Sequence, residues 1–198
     1  MKKIVVLFAS VLLLSCAGTR NQPIGYEEKV SGGEAPKWTM VPVEYDSKEA
    51  KAFCGTSHNF SSDAEARNNS LENARTQIVD AMGTYGKHML QEVISSVGSA
   101  GSILNPGVVR DDATELVSES MVKTRAREFQ VEKWSRVTEQ GVDYYYKAYV
   151  LVLWNNSDAA EVVKQAIRKE AEKVEAEQER RNIERALEKM KELKSEDW

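Results

Sequence analysis

Residues 125–154 read RAREFQVEKWSRVTEQGVDYYYKAYVLVLW, and their alternation decides the fold class. From Arg125 to Val137, Phe129, Val131 and Val137 fall on one face and Trp134 on the other. Glu139-Gln140-Gly141 supplies a turn. From Val142 to Trp154, Tyr144, Tyr146, Ala148, Val150 and Val152 point one way, and Tyr145, Tyr149, Leu151 and Leu153 the other. Apolar side chains on both faces mark a central strand, or one whose outer side is an interface. An antiparallel hairpin is expected here.

Upstream, Ala50 to Phe60 also reads as a strand, with Phe53, Gly55 and Ser57 on one face and Ala52, Cys54 and Thr56 on the other. Gly55 within it predicts a bulge or a close backbone approach. Ser62-Asp63-Ala64-Glu65 has the form of a capping box. Behind it Leu71, Ala74, Ile78, Ala81, Met82, Tyr85, Met89 and Val93 recur every three or four residues, as one face of a long helix. Gly83 and Gly86 weaken its middle by about 1 kcal/mol each relative to alanine, which leaves room for a kink there. Gly98 to Gly107 reads as a loop. Asp112-Ala113-Thr114-Glu115 then predicts the start of a short second helix running to about Lys123.

The flanks are polar. Residues 16–35 carry glycines, Gln22, Pro23 and Ser31 with no apolar period, and are expected to be a flexible tether. Pro36-Lys37-Trp38 opens the ordered domain, which ends near residue 156. Residues 157–198 read as one long charged helix, capped by Ser157 or Asp158. Val163, Ile167 and Val174 form one stripe; Ile183, Ala186, Leu187, Met190 and Leu193 form another, out of phase with the first. The expectation is that this helix projects and leaves Ile183, Leu187, Met190 and Leu193 for a partner or for self-association, as in a coiled coil. A solvated helix held by Glu–Lys pairs is the alternative. The fold class expected is therefore α+β: one strand plus a C-terminal hairpin on two helices, followed by a projecting helix.

The first fifteen residues point to location. Lys2 and Lys3 precede an apolar run from Ile4 to Leu14, too short to span a bilayer, which needs about 20 residues. It ends in Leu13-Leu14-Ser15-Cys16, the form of a lipobox. A small residue, Ser15, precedes the cut, and the Cys16 thiolate accepts a diacylglyceryl group. Residues 1–15 are thus expected to be a signal peptide and Cys16 a lipidated N-terminus. Ala17 to Asn21 contain no aspartate, which favours the outer membrane. Acyl chains contribute about 0.8 kcal/mol per buried methylene, enough for a permanent anchor. Removing residues 1–15 leaves 25 basic and 31 acidic side chains, a net charge of −6. Nucleic acid and anionic lipid are therefore unfavourable main partners. Cys54 would be the one thiol besides the acylated Cys16, which excludes a disulfide scaffold.

Motifs for catalysis are absent. His58 and His88 lie on different elements, and no HExxH, CxxC, Gly-X-Ser-X-Gly or phosphate loop occurs, so no metal, cofactor or catalytic residue is assigned. The Tyr144–Tyr149 aromatics with Trp134 and Trp154 read as packing, with glycan or peptide stacking as the other option. Two functions follow. One is a non-catalytic envelope module that binds envelope proteins or itself. The other is an envelope enzyme or small-ligand binder using Gly98–Val109 with His58 or His88.

Pro36-Lys37-Trp38, Phe53-Cys54-Gly55-Thr56-Ser57, Ala64-Glu65-Ala66-Arg67 with Ala74, and Tyr146 to Leu153 follow one another in an order that resembles a known group. It is similar to the Lpp-twenty family of small outer-membrane lipoproteins, whose domain is related to the N-terminal part of a flagellar assembly protein. The resemblance spans residues 36–155 and rests on packing motifs. It implies an envelope protein without known chemistry, linked to motility or envelope assembly. The charged segment after Asn156 lies outside the family pattern.

Overall fold

The computed structural model describes residues 22–97, 104–121, 126–173 and 177–189. They form an α+β domain on a four-stranded antiparallel sheet. The strands are β1 (Glu27–Ser31), β2 (Ala50–Thr56), β3 (Glu128–Thr138) and β4 (Gly141–Asn155), in the order β1-β3-β4-β2. The helices are α1 (Asp63–Val97), α2 (Pro106–Met121), α3 (Asn156–Ala171) and α4 (Glu177–Lys189).

The hairpin forms as its alternation requires. Glu128 pairs with Leu151 and Thr138 with Gly141, and β4 is an interior strand between β3 and β2. Its two faces enter two cores. Val150, Val152 and Trp154 pack with the helices, whereas Leu151 joins Ala52, Cys54 and Trp38 on the opposite side. Short 3-10 turns at Lys37–Thr39 and Pro42–Tyr45 lie by that second cluster, so Trp38 closes the outer face of β2 and β4.

Helix α1 starts at the expected box. The Glu65 amide donates to the Ser62 hydroxyl oxygen at 3.3 Å, and that hydroxyl donates back to the Glu65 carboxylate at 2.9 Å. The helix runs 35 residues, about 52 Å at 1.5 Å per residue. Ala74, Ile78, Met82, Tyr85, Met89 and Val93 are buried along it. Gly55 is where α1 and the sheet meet. A Cβ there would stand 2.0 Å from the Ser70 carbonyl oxygen and 2.6 Å from the Ala74 nitrogen. The close approach is therefore real, and no bulge accompanies it, since β2 pairs with β4 in unbroken register. Gly83 and Gly86 do not interrupt α1; they face Arg110 and Ala113 of α2.

Four expectations need correction. The second helix begins at Pro106, not at Asp112. Asn105 accepts the Gly107 amide on its side-chain oxygen at 2.9 Å, and proline fits the first helical turn. Val109, Ala113 and Val117 continue one buried face, so the helix must begin before Val109. Asp112 then lies mid-helix and accepts the Lys169 ammonium at 2.6 Å, which raises the lysine pKa.

Part of the expected tether is the edge strand β1, so the sheet has one strand more than the sequence suggested. Glu27 to Ser31 lacks an apolar alternation, but β3 offers partners for two of its charges. Arg136 binds Glu27, and Lys29 reaches Glu132 at 2.8 Å.

Residues 157–189 are not a single projecting helix. The chain turns after Ala171, and α4 packs back on α1 and α3. Ile183 and Leu187 are fully buried in the helix-side core. Arg168 of α3 meets Glu184 of α4 at 3.4 Å. The stripes on α3 and α4 are out of phase, so a straight helix would leave one of them in water. Burying an isoleucine and a leucine favours the reversal by about 1.5–3 kcal/mol each. The stripe is consequently an internal contact and is not open to a partner at Ile183 and Leu187. Four helices, rather than two, cover the sheet face and one another.

Candidate functional site

Among the described residues, polar and aromatic side chains group on the hairpin and β1. Trp134 and Tyr145 sit opposite each other in the β3–β4 register, with ring centroids 6.4 Å apart and planes inclined by 8°. Lys147 lies over Trp134 at 4.7 Å and over Tyr145 at 5.5 Å, and Arg136 lies over Tyr145 at 5.5 Å. On the opposite face Lys133 lies over Tyr144 at 4.6 Å and Tyr146 at 5.9 Å. Each such pair contributes about 0.5–1 kcal/mol at an exposed site. The cations occupy ring surfaces that a sugar would stack on, so the packing account of these aromatics is the better one.

Glu132 anchors the arrangement. It is 4% exposed, and it accepts from Lys29 at 2.8 Å and from the Trp134 indole at 2.9 Å. A buried carboxylate needs such partners, and this one ties β1 to β3. Glu27 is held below the usual carboxylate range by its hydrogen bond to Arg136. Burial raises the hydroxyl pKa of both Tyr145 and Tyr149.

The sequence reading missed this network. Its signal was available: Glu132 falls on the Trp134 face of an alternating strand, where an acid requires a cation from elsewhere in the chain.

The sheet edges differ. Outward amides and carbonyls of β2 and its extension are met by side chains: Asp46 accepts the Ala52 amide, Asn73 the Thr56 amide and Asn69 the His58 amide, while Gln77 donates to the Cys54 carbonyl. Asn69, Asn73 and Gln77 are spaced four residues apart on α1, which sets all three along one strand. Among the described residues, β1 has β3 as its only strand neighbour.

His58 and His88 are exposed on separate elements. The Cys54 thiol is pushed up to about 11 by burial, so it stays protonated at neutral pH. No group of three His, Cys, Asp or Glu side chains suited to holding a metal ion occurs among the described residues. Among those residues, no helix is long and apolar enough to cross a membrane. Of the residues singled out from sequence, Ile183 and Leu187 are core; Ser15, Cys16, Met190 and Leu193 lie outside the described residues. Compared with known proteins, the chain matches no family model, no curated protein and no solved structure.

Proposed function

We propose that this chain is a bacterial envelope lipoprotein, anchored in the outer membrane through acylated Cys16, whose α+β domain serves as a non-catalytic binding or assembly module. The observation that carries this reading is Leu13-Leu14-Ser15-Cys16 behind Lys2, Lys3 and a short apolar run. Partners are other envelope proteins, and their contact surface is on the domain rather than at Ile183 and Leu187. The ordering of Trp38, Gly55, Ala74 and the hairpin supports kinship with the Lpp-twenty group, in which the Gly55–Ala74 approach would be a packing requirement.

Four buried polar residues have structural partners. Ser70 donates to the Arg67 carbonyl, Asn156 to the Lys48 carbonyl, and Glu132 and Glu170 pair with Lys29 and Lys173. Each of these groups is occupied in holding the fold.

The test is to grow cells on an alkyne analogue of palmitate and determine the mass of the mature N-terminus. The wild-type protein should carry label and begin at Cys16, and Cys16→Ala should carry none. Label persisting on Cys16→Ala, or a mature end at another residue, would overturn the assignment. Crosslinking in intact cells would then identify the partner.

A further inference from the structure

We propose that the turn end of the hairpin, with Ile24, Tyr26, Val142 and Tyr144, seats on the surface of the lipid bilayer that holds the anchor. This rests on the proposed acylation of Cys16.

The patch is built by register. Val137 pairs with Val142 and Ser135 with Tyr144, while the Val137 amide donates to the Tyr26 carbonyl and the Gly25 amide to the Val137 carbonyl. Tyr26, Val142 and Tyr144 therefore share one region of the sheet. Ile24 stands at the head of the adjoining turn, where the Tyr26 amide returns to the Pro23 carbonyl and Gly25 takes φ +88°. Ile24 is 67% exposed, Tyr26 38%, Val142 53% and Tyr144 54%.

They are uncovered because the helices start too late to reach them. Phe60 bridges to Tyr146, and α1 begins only at Asp63, so the rows from Tyr144 to the turn extend past the helical layer.

Two facts select the bilayer as the occupant. The first is reach. Five residues separate Cys16 from Gln22, six steps that span at most about 22 Å fully extended, whereas α1 alone is about 52 Å long. The turn at Pro23–Tyr26 joins this hairpin end, so it is the part of the domain that the anchor keeps near the lipid. The second is composition. Tyrosine with aliphatic neighbours suits the headgroup region, and Lys133, over Tyr144, can extend its ammonium to phosphate. On the face of Tyr144 the register places one acid, Glu28, and one base, Lys133, while Glu27, Lys29, Arg136 and Asp143 fall on the opposite face with Trp134. The contact is thus apolar rather than electrostatic, and it suits a zwitterionic surface.

The experiment uses the full acylated protein, with acylation verified by mass, in phosphatidylcholine vesicles containing a lipid with a nitroxide high on its acyl chain. Single cysteines replace Tyr144, Met40 or Gln165 and carry an environment-sensitive fluorophore; Cys54 is buried and stays unlabelled. Met40 reports the other sheet face and Gln165 the far side of α3. Position 144 is expected to be quenched at least about twofold more than positions 40 and 165, as a contact 5–10 Å into the interface requires. Equal quenching at the three positions, or stronger quenching at 40, overturns the proposal while leaving the anchor intact. So does self-quenching between copies labelled at position 144 that persists on dilution into excess vesicles, which would place a second copy on the patch. A protein without acyl chains by mass removes the anchor and this inference together.

Discussion

Gly55 and Gly86 both face a neighbouring element, yet replacing each by alanine should have opposite signs. At Gly55 the new Cβ meets helix backbone at 2.0 Å and 2.6 Å, which no rotamer can relieve. Gly55→Ala is expected to destabilise by about 3 kcal/mol or more, by forcing α1 off the sheet. At Gly86 the Cβ would lie 3.5 Å from that of Ala113 and 3.8 Å from Val163, an ordinary contact. Gly86→Ala should therefore stabilise by up to about 1 kcal/mol through helix propensity. Urea unfolding of the two variants measures both signs. Equal losses would mean that the space beside Gly86 is tighter than the distances indicate.

At the scale of elements, the return of α4 is the feature with the sharpest consequence. Ile183 and Leu187 are fully buried, so Ile183→Asp or Leu187→Asp places an unpaired carboxylate in an apolar core. Each should cost about 3 kcal/mol or more in urea unfolding. Were the stripe on a solvated projecting helix, the same changes would be nearly neutral. The edges of the sheet show a parallel division of labour. Asn69, Asn73 and Gln77 close the β2 edge to other strands, a device against unwanted pairing, while β1 relies on its charged residues for the same purpose.

For the whole molecule, the titrating groups set how stability depends on pH. Glu27 has a depressed pKa in the fold, so its contribution is present above the ordinary glutamate value, about 4.3, and is lost as pH falls through the depressed one. In alkali several shifts act together. Cys54 is raised to about 11 and Tyr145 and Tyr149 are raised by burial, so the unfolded chain gives up these protons first and stability falls as pH rises. Lys169 is raised by Asp112; its contribution is complete below the ordinary lysine value and disappears above it. Melting temperature should hold level near neutrality, then decline from about pH 8.5, where free thiols begin to ionise. Cys54→Ala should reduce the first part of that decline. A melting temperature unchanged up to pH 10.5 would contradict these burial effects.

Much of the architecture was readable because its signals are local. The period of two in residues 128–154, the box at Ser62–Glu65 and the 3.6-residue stripe from Ala74 to Val93 each occupy consecutive positions, and the structure uses them as read. The proposed lipobox rests on a signal of the same local kind, four adjacent residues, and lies outside the described residues. Three things needed the tertiary structure. Glu27–Ser31 becomes a strand only because Arg136 and Glu132, more than a hundred residues away, pair with Glu27 and Lys29. The phase conflict between the two C-terminal stripes was visible, but not whether the chain would resolve it by projecting or turning back; the unfilled helix-side core decided for reversal. The exposed hairpin end, finally, is a difference in length between layers. No single segment encodes it, because it depends on where α1 begins relative to where β3 and β4 end.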